Sequence, residues 1–294
     1  MFKEAAAWSI FYIAVAVGFG FWVRSQFGSE YGTEYFAAYL VEKSLSVDNL
    51  FVFVIILAQF AVPSIFHQRI LMIGVVLALA MRAVFIAIGA AALHAFAFTF
   101  VIFGIILVWT GYKLFSHWNE DPEVRDGKLV NLVRKVIPVT NDFHGEKLFV
   151  NVGGQRSATP MLLVLVAIAS TDLLFALDSI PATFGVTKEP FLVFSANAFA
   201  LLGLRALYFL LKGLLDKLIY LSVGLAAILI FIGAKLILTY FHELYPSIPK
   251  VSTNVSLAVI ASVLVIATVA SFAKTRNNAN VVAHPGRLSD GKHD

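Results

Sequence analysis

The sequence predicts an all-α polytopic membrane protein of about eight transmembrane helices, containing an inverted repeat of two three-helix units. Three observations predict it. The 294 residues are 60% hydrophobic and only 14% charged, with a mean hydropathy of +0.85, far outside the soluble globular range. Apolar runs long enough to cross about 30 Å of hydrocarbon, about 20 residues each, recur near 5–23, 35–60, 69–92, 95–115, 160–182, 191–211, 218–240 and 254–273. Finally, three charged motifs in the first half of the chain recur in the same order in the second.

The first run has Lys3 as its only preceding basic residue, short of a signal peptide's basic start, and no small-residue cleavage site, so it reads as a retained helix rather than a signal peptide, and residues 1–33 form a peripheral unit. Runs two to four make up the first repeat, 34–116, and runs five to seven the second, 160–240. Between them, 117–159 is the sizeable polar insertion. NEDPEVRDGK reads as a turn and LVNLVRKVIPV as a short interfacial helix with Arg134 and Lys135 on its polar side. KLFVNVGGQRSATP then reads as a β-hairpin around Gly153 and Gly154. An eighth helix occupies 241–273, and the Asn-, His-, Gly- and Lys-rich tail, 274–294, has the composition of a disordered segment.

Eight crossings place both termini on one side. That side holds Lys3, Arg69, most basic residues between 113 and 156, Lys212, Lys217, Lys274 and Arg276, against Arg24, Lys188 and Lys250 opposite. Basic loops stay inside, so both termini are expected in the cytoplasm. The net charge of +4 is explained by this asymmetry, and no nucleic-acid partner is expected. Cysteine is absent, which removes disulfides, thiolate metal sites and cysteine nucleophiles.

EKSLSVDNLFVF places Glu42, Lys43 and Asp48 inside the second run, and TDLLFALDSIPA places Asp172 and Asp178 inside the fifth at the same separation. Asn49 follows Asp48 as Ser179 follows Asp178. The next helix of each half carries one arginine, Arg82 in MRAVF and Arg205 in LRALY. The helix after that ends in GYKLF around Lys113 or GAKLI around Lys235. A three-helix unit is odd, so its second copy enters the membrane from the other side. At about 100° per residue, Glu42 and Asn49 share one face of their helix while Ser44 and Asp48 share the next. On the fifth helix Asp172 and Ser179 share a face and Thr171 and Asp178 the next. Pro181 beside Asp178 suggests a broken helix there.

Isolated, each such charge would cost about 2.5–3.5 kcal/mol at membrane depth. One reading is structural, with Lys43, Arg82 and Arg205 pairing the acids to fix the packing. The other is an ion site. Glu42, Asp48, Asn49, Asp172, Asp178 and Ser179, with Ser44, Ser46 and Thr171 as polar lining, offer only oxygen donors, which suit Mn²⁺, Mg²⁺ or Ca²⁺ rather than Zn²⁺ or Cu⁺. Lys113 and Lys235 are candidates for accessory charge pairing, though near helix ends they are also expected to snorkel. His94, and His242 with Glu243, fall in outer loops where they would receive a departing metal or merely cap helices. No P-loop, HExxH or nucleophile elbow occurs, so a secondary transporter without a prosthetic group is expected rather than an enzyme.

EKSLSVDNLFVF, PVTNDFHGEKLFV and STDLLFALDSIPA resemble the signature segments of the TerC family, which includes the Alx members, and the resemblance runs over about residues 1–273. It implies a bacterial inner-membrane protein similar in architecture to the LysE superfamily of exporters. The implied function is divalent metal cation export, Mn²⁺ efflux before others, with Glu42, Asp48, Asn49, Asp172, Asp178 and Ser179 serving the ion. Alternating access with proton exchange is the expected mechanism, the arginines pairing with emptied carboxylates. The family is also linked to tellurium resistance, and plant relatives to membrane-protein insertion. A Ca²⁺ or other cation transporter of this architecture, or a non-transport assembly or stress-response scaffold acting through the central loop, are the alternatives. Expected partners are the lipid bilayer and the cation.

Overall fold

Long apolar stretches without internal glycine–proline pairs propagate as helices until a residue that cannot continue them intervenes. The computed structural model describes residues 2–118, 127–152, 154–204, 207–208 and 218–277. Helices α1 (Phe2–Phe27) and α2 (Ser29–Gln59) are separated by Gly28 alone, whose φ of 103° is open to glycine and strained for other residues. Pro63 immediately precedes α3 (Ser64–Ala95), and α4 (Thr99–Ser116) follows after three residues. The central segment holds α5 (Lys128–Val136) and an antiparallel hairpin of β1 (Phe149–Val152) and β2 (Gln155–Ala158). Pro160 and Pro190 open α6 (Pro160–Phe184) and α7 (Pro190–Leu202), where a missing N–H costs nothing. The chain ends in α8 (Leu221–Leu244) and α9 (Thr253–Asn277).

Among the described residues, six helices are long and apolar enough to cross a membrane: α1, α3, α4, α6, α8 and α9. The protein is an all-α polytopic membrane protein. α2 has the length, 31 residues, but carries Glu30, Glu34, Glu42, Lys43 and Asp48. α7 has 13 residues and stops at Gly203, so the run expected over 191–211 is interrupted. Residues 209–211 lie outside the described residues.

Helices α2 and α7 run in the same direction, as do α3 and α6. Glu34 and Lys43 meet Thr187 and Ala200, while Gly74 and Gly89 face Ile168 and Phe184. α4 and α8 run antiparallel at close range. A Cβ on Gly104 would lie 2.7 Å from the Gly233 carbonyl, and one on Gly233 would lie 2.7 Å from the Gly104 carbonyl. α2 also packs on α6, α3 on α7, and α9 on α2 and α8. α1 packs on α2 and α7 and turns Trp8, Ile10, Phe11 and Phe21 outward, as a lipid-facing peripheral helix does.

The hairpin falls where the two-glycine signal puts it, with Val152 paired to Gln155 and Gly154 at φ 84°. Gly153 and the turn over 119–126 lie outside the described residues. The central segment is clasped to the start of α3 by the Arg69–Glu146 ion pair and a Phe66–Phe143 stack at 6.1 Å. On α5, Val130 is buried while Arg134 and Lys135 are exposed. Two expectations are corrected. α6 is continuous through Pro181, because the proline sits in its last turn, where only the carbonyl of Leu177 loses a partner. α9 extends to Asn277, so 274–277 are helical; 278–294 lie outside the described residues.

Candidate ion site

Arg82 is the hub of the interior. It projects from the middle of α3 with no solvent exposure, and an always-charged guanidinium at that depth requires acceptors on its fork. Glu42 on α2 accepts from Nη1 at 3.0 Å, Asp172 on α6 accepts from Nη2 at 3.1 Å, and Ser179 Oγ lies 3.3 Å from Nη1. With its amide oriented to satisfy both atoms, Asn49 accepts from Nη2 at 3.0 Å and donates to the Leu45 carbonyl at 3.0 Å. The two faces that helical periodicity marked out, Glu42 with Asn49 and Asp172 with Ser179, therefore converge on one guanidinium. Thr183, one turn beyond Ser179, donates to the other oxygen of Glu42 at 2.8 Å. It lies about 20° from Asp172 around the helix axis, so its hydroxyl was detectable from spacing.

Asp178 belongs to the neighbouring face and is bonded to α4 rather than to Arg82. It is 8% exposed and accepts from Thr110 on α4 at 2.8 Å, a partner announced by no signal beyond a lone hydroxyl in an apolar run. The side chain of Asp48 and the whole of Arg205 lie outside the described residues. Among the described residues no three of His, Asp and Glu are gathered closely enough to hold a metal ion. Of the six residues expected to serve the ion together, Glu42, Asp172, Asn49 and Ser179 are held by Arg82 in this conformation, because a buried guanidinium with five N–H donors takes the nearest oxygens, and Asp178 is bonded to Thr110 instead. Among the described residues, Asp172 Oδ2, Arg82 Nε and Ser46 Oγ are buried without a hydrogen-bond partner.

The accessory residues divide. Lys43 donates to the Ala200 carbonyl at 3.4 Å rather than to an acid, lying against Gly203, whose missing side chain makes the room. Ser44 and Thr171 bond back to Leu40 and Ala167 of their own helices, so neither lines the hub. Lys113 lies 5.4 Å from the Trp109 ring centroid, as a snorkelling residue does. Lys235 departs from that expectation: it is 7% exposed because α8 reaches two and a half turns beyond it before ending. His94 sits in the last turn of α3; His242 bonds the Ile248 carbonyl at 2.6 Å, and Glu243 pairs with Lys188 at 2.9 Å. Glu34, held by Thr187 at 2.7 Å, lies in the second turn of α2, where a carboxylate is ordinary and carries no signal in the sequence.

A bundle of apolar helices around buried, mutually bonded charged side chains defines a polytopic membrane protein. The TerC integral membrane protein family model matches residues 27–279, and the chain belongs to that family. It is 44% identical over 276 residues, 94% of this chain and 84% of the other, to an uncharacterised membrane protein of Myxococcus xanthus. It is 39% identical over 249 residues, 85% of this chain and 63% of the other, to the thylakoid membrane protein TERC of Arabidopsis thaliana. It is 36% identical over 272 residues, 90% and 83%, to Alx of Escherichia coli, described as a candidate membrane-bound redox modulator. No solved structure matches it significantly.

Proposed function

We propose that the protein is a secondary transporter of the inner membrane, both termini cytoplasmic, that exports a divalent metal cation by alternating access, with Mn²⁺ as the substrate. The observation that carries this is the unequal charge of the interior. Among the described residues, three buried carboxylates, Glu42, Asp172 and Asp178, stand against one buried guanidinium that bonds only the first two, Lys43 is turned to a backbone carbonyl, and one Asp172 oxygen has no hydrogen-bond donor. Uncompensated anionic oxygen at membrane depth is expensive and marks ion or proton pathways. The donors are all oxygen, which favours Mn²⁺, Mg²⁺ and Ca²⁺ as cargo.

In the conformation described, Arg82 compensates Glu42 and Asp172, the part a bound cation would otherwise play for these two carboxylates. Loading displaces the guanidinium or shares the carboxylates with it, and Asp178, whose one bond is to a neutral hydroxyl, is the most readily recruited ligand. Metal and protons compete for such groups, which gives proton exchange a route. An inverted repeat of α2–α4 and α6–α8 is supported by paired contacts. The parallel pairs α2–α7 and α3–α6 exchange under it, and the reciprocal approach of Gly104 and Gly233 sits on the α4–α8 pair. The redox label of the Alx relatives has no thiol to act through here, since the chain contains no cysteine.

The test is Mn²⁺ flux into proteoliposomes with and without a pH gradient, comparing the parent protein with Asp178→Asn. Gradient-dependent flux lost in the variant is expected. Equal flux in a correctly inserted variant, or none in the parent, overturns the reading. Competition by Ca²⁺ in the same assay decides between Mn²⁺ and a broader cation substrate.

A further inference from the structure

A cavity of about 430 Å³ opens between α2, the α6–α7 connection, α8 and the α8–α9 connection, on the side away from the clasped hairpin. Its walls carry opposite charge. Glu30 and Glu34, one turn apart on α2, and Glu189 form one wall, while Lys235 on α8 and Lys250 form the other. Lys188 also lines it but is neutralised by Glu243 at 2.9 Å. Phe184 lines the cavity while almost fully buried, and its neighbour Thr183 is bonded to Glu42 at 2.8 Å, so the cavity abuts the buried charge network.

Lys235 is the group that needs explaining. It is more than nine-tenths buried and, among the described residues, its ammonium makes no hydrogen bond or ion pair. Its stem is enclosed while its ammonium faces the cavity, so an anionic group across the cavity is the acceptor that would engage it most strongly. Glu34 stands on the opposite wall, resting on the neutral hydroxyl of Thr187 at 2.7 Å. α8 packs mainly on α4 and α9 and only lightly on α2, so the two walls belong to different packing units with a seam between them.

Building on the transport reading, we infer that Glu34 and Lys235 are the two halves of an ion-pair gate, which closes this vestibule when Glu34 exchanges Thr187 for Lys235. The exchange replaces a hydroxyl donor on the Glu34 carboxylate with an ammonium, so that both partners carry charge, and gives the ammonium its acceptor. Thr187 holds the gate open.

The chain has no cysteine, so a single Thr239→Cys reports on the cavity, which Thr239 lines. Full-length protein in proteoliposomes is labelled with a membrane-impermeant thiol reagent from the cavity side. Glu34→Gln and Lys235→Gln each raise the labelling rate roughly fivefold by removing the closed state, whereas Thr187→Val lowers it. The double exchange Glu34→Lys with Lys235→Glu returns it to the parent rate. Unchanged rates in both single variants, or a double exchange that labels like the singles, overturn the gate. The readout does not use metal, so charge-dependent labelling in a protein without Mn²⁺ flux would keep the gate and remove the transport reading.

Discussion

Arg82 and Asp178 carry opposite expectations at the residue scale. Arg82 is bonded to acids from two helices with no exposure on either side. Arg82→Met leaves two carboxylates uncompensated, and removing one partner of a buried pair costs about 3–5 kcal/mol; a sharp fall in the melting temperature of the purified protein is the expected result. Arg82→Lys recovers little of it, because one ammonium cannot span acceptors that a planar fork holds at once. Asp178→Asn keeps an oxygen for Thr110, so its stability stays within about 1 kcal/mol of the parent, while flux is lost. A variant that melts normally and does not transport separates the ion's residue from the scaffold's.

At the scale of elements, the α4–α8 pair is set by two glycines. Gly233→Ala places a methyl group 2.7 Å from the Gly104 carbonyl, and the helices must separate. Overpacking of this kind costs about 1–3 kcal/mol, read as a lowered melting temperature. Gly18→Ala on α1 is the control: nothing lies within 4 Å of its Cβ, and exchanging glycine for alanine inside a helix gains about 1 kcal/mol. The hairpin answers a different question. Its tip exposes Asn151, Val152 and Gln155, and replacing all three with serine leaves Mn²⁺ flux unchanged if the segment is a connector. Lost function with intact flux would assign the hairpin to a partner.

The whole molecule is tested by its crossings. With both termini inside, a cysteine at Ser29 labels from the side opposite to one at Lys147, and one at Lys188 from the same side as Ser29. Impermeant reagents on oriented vesicles check this, and the same side for all three would remove the inverted arrangement. The central charges come from α2, α3 and α6 at once, and under the proposed repeat these would be the opening helices of the two units meeting at the arginine of the first.

Composition and apolar run length determined by themselves that this is an all-α membrane protein, because hydrocarbon admits no unpaired backbone and each crossing needs its own run. Spacing determined which polar residues share a face, and Glu42, Asn49, Asp172 and Ser179 were grouped from it. Only the tertiary structure decided what those faces meet. Helical phase fixes directions about one axis and says nothing of the neighbour across the interface, so Arg82 as the common partner, Thr110 as the mate of Asp178, and Lys235 buried opposite Glu34 emerge only when α3, α4 and α8 are packed in place.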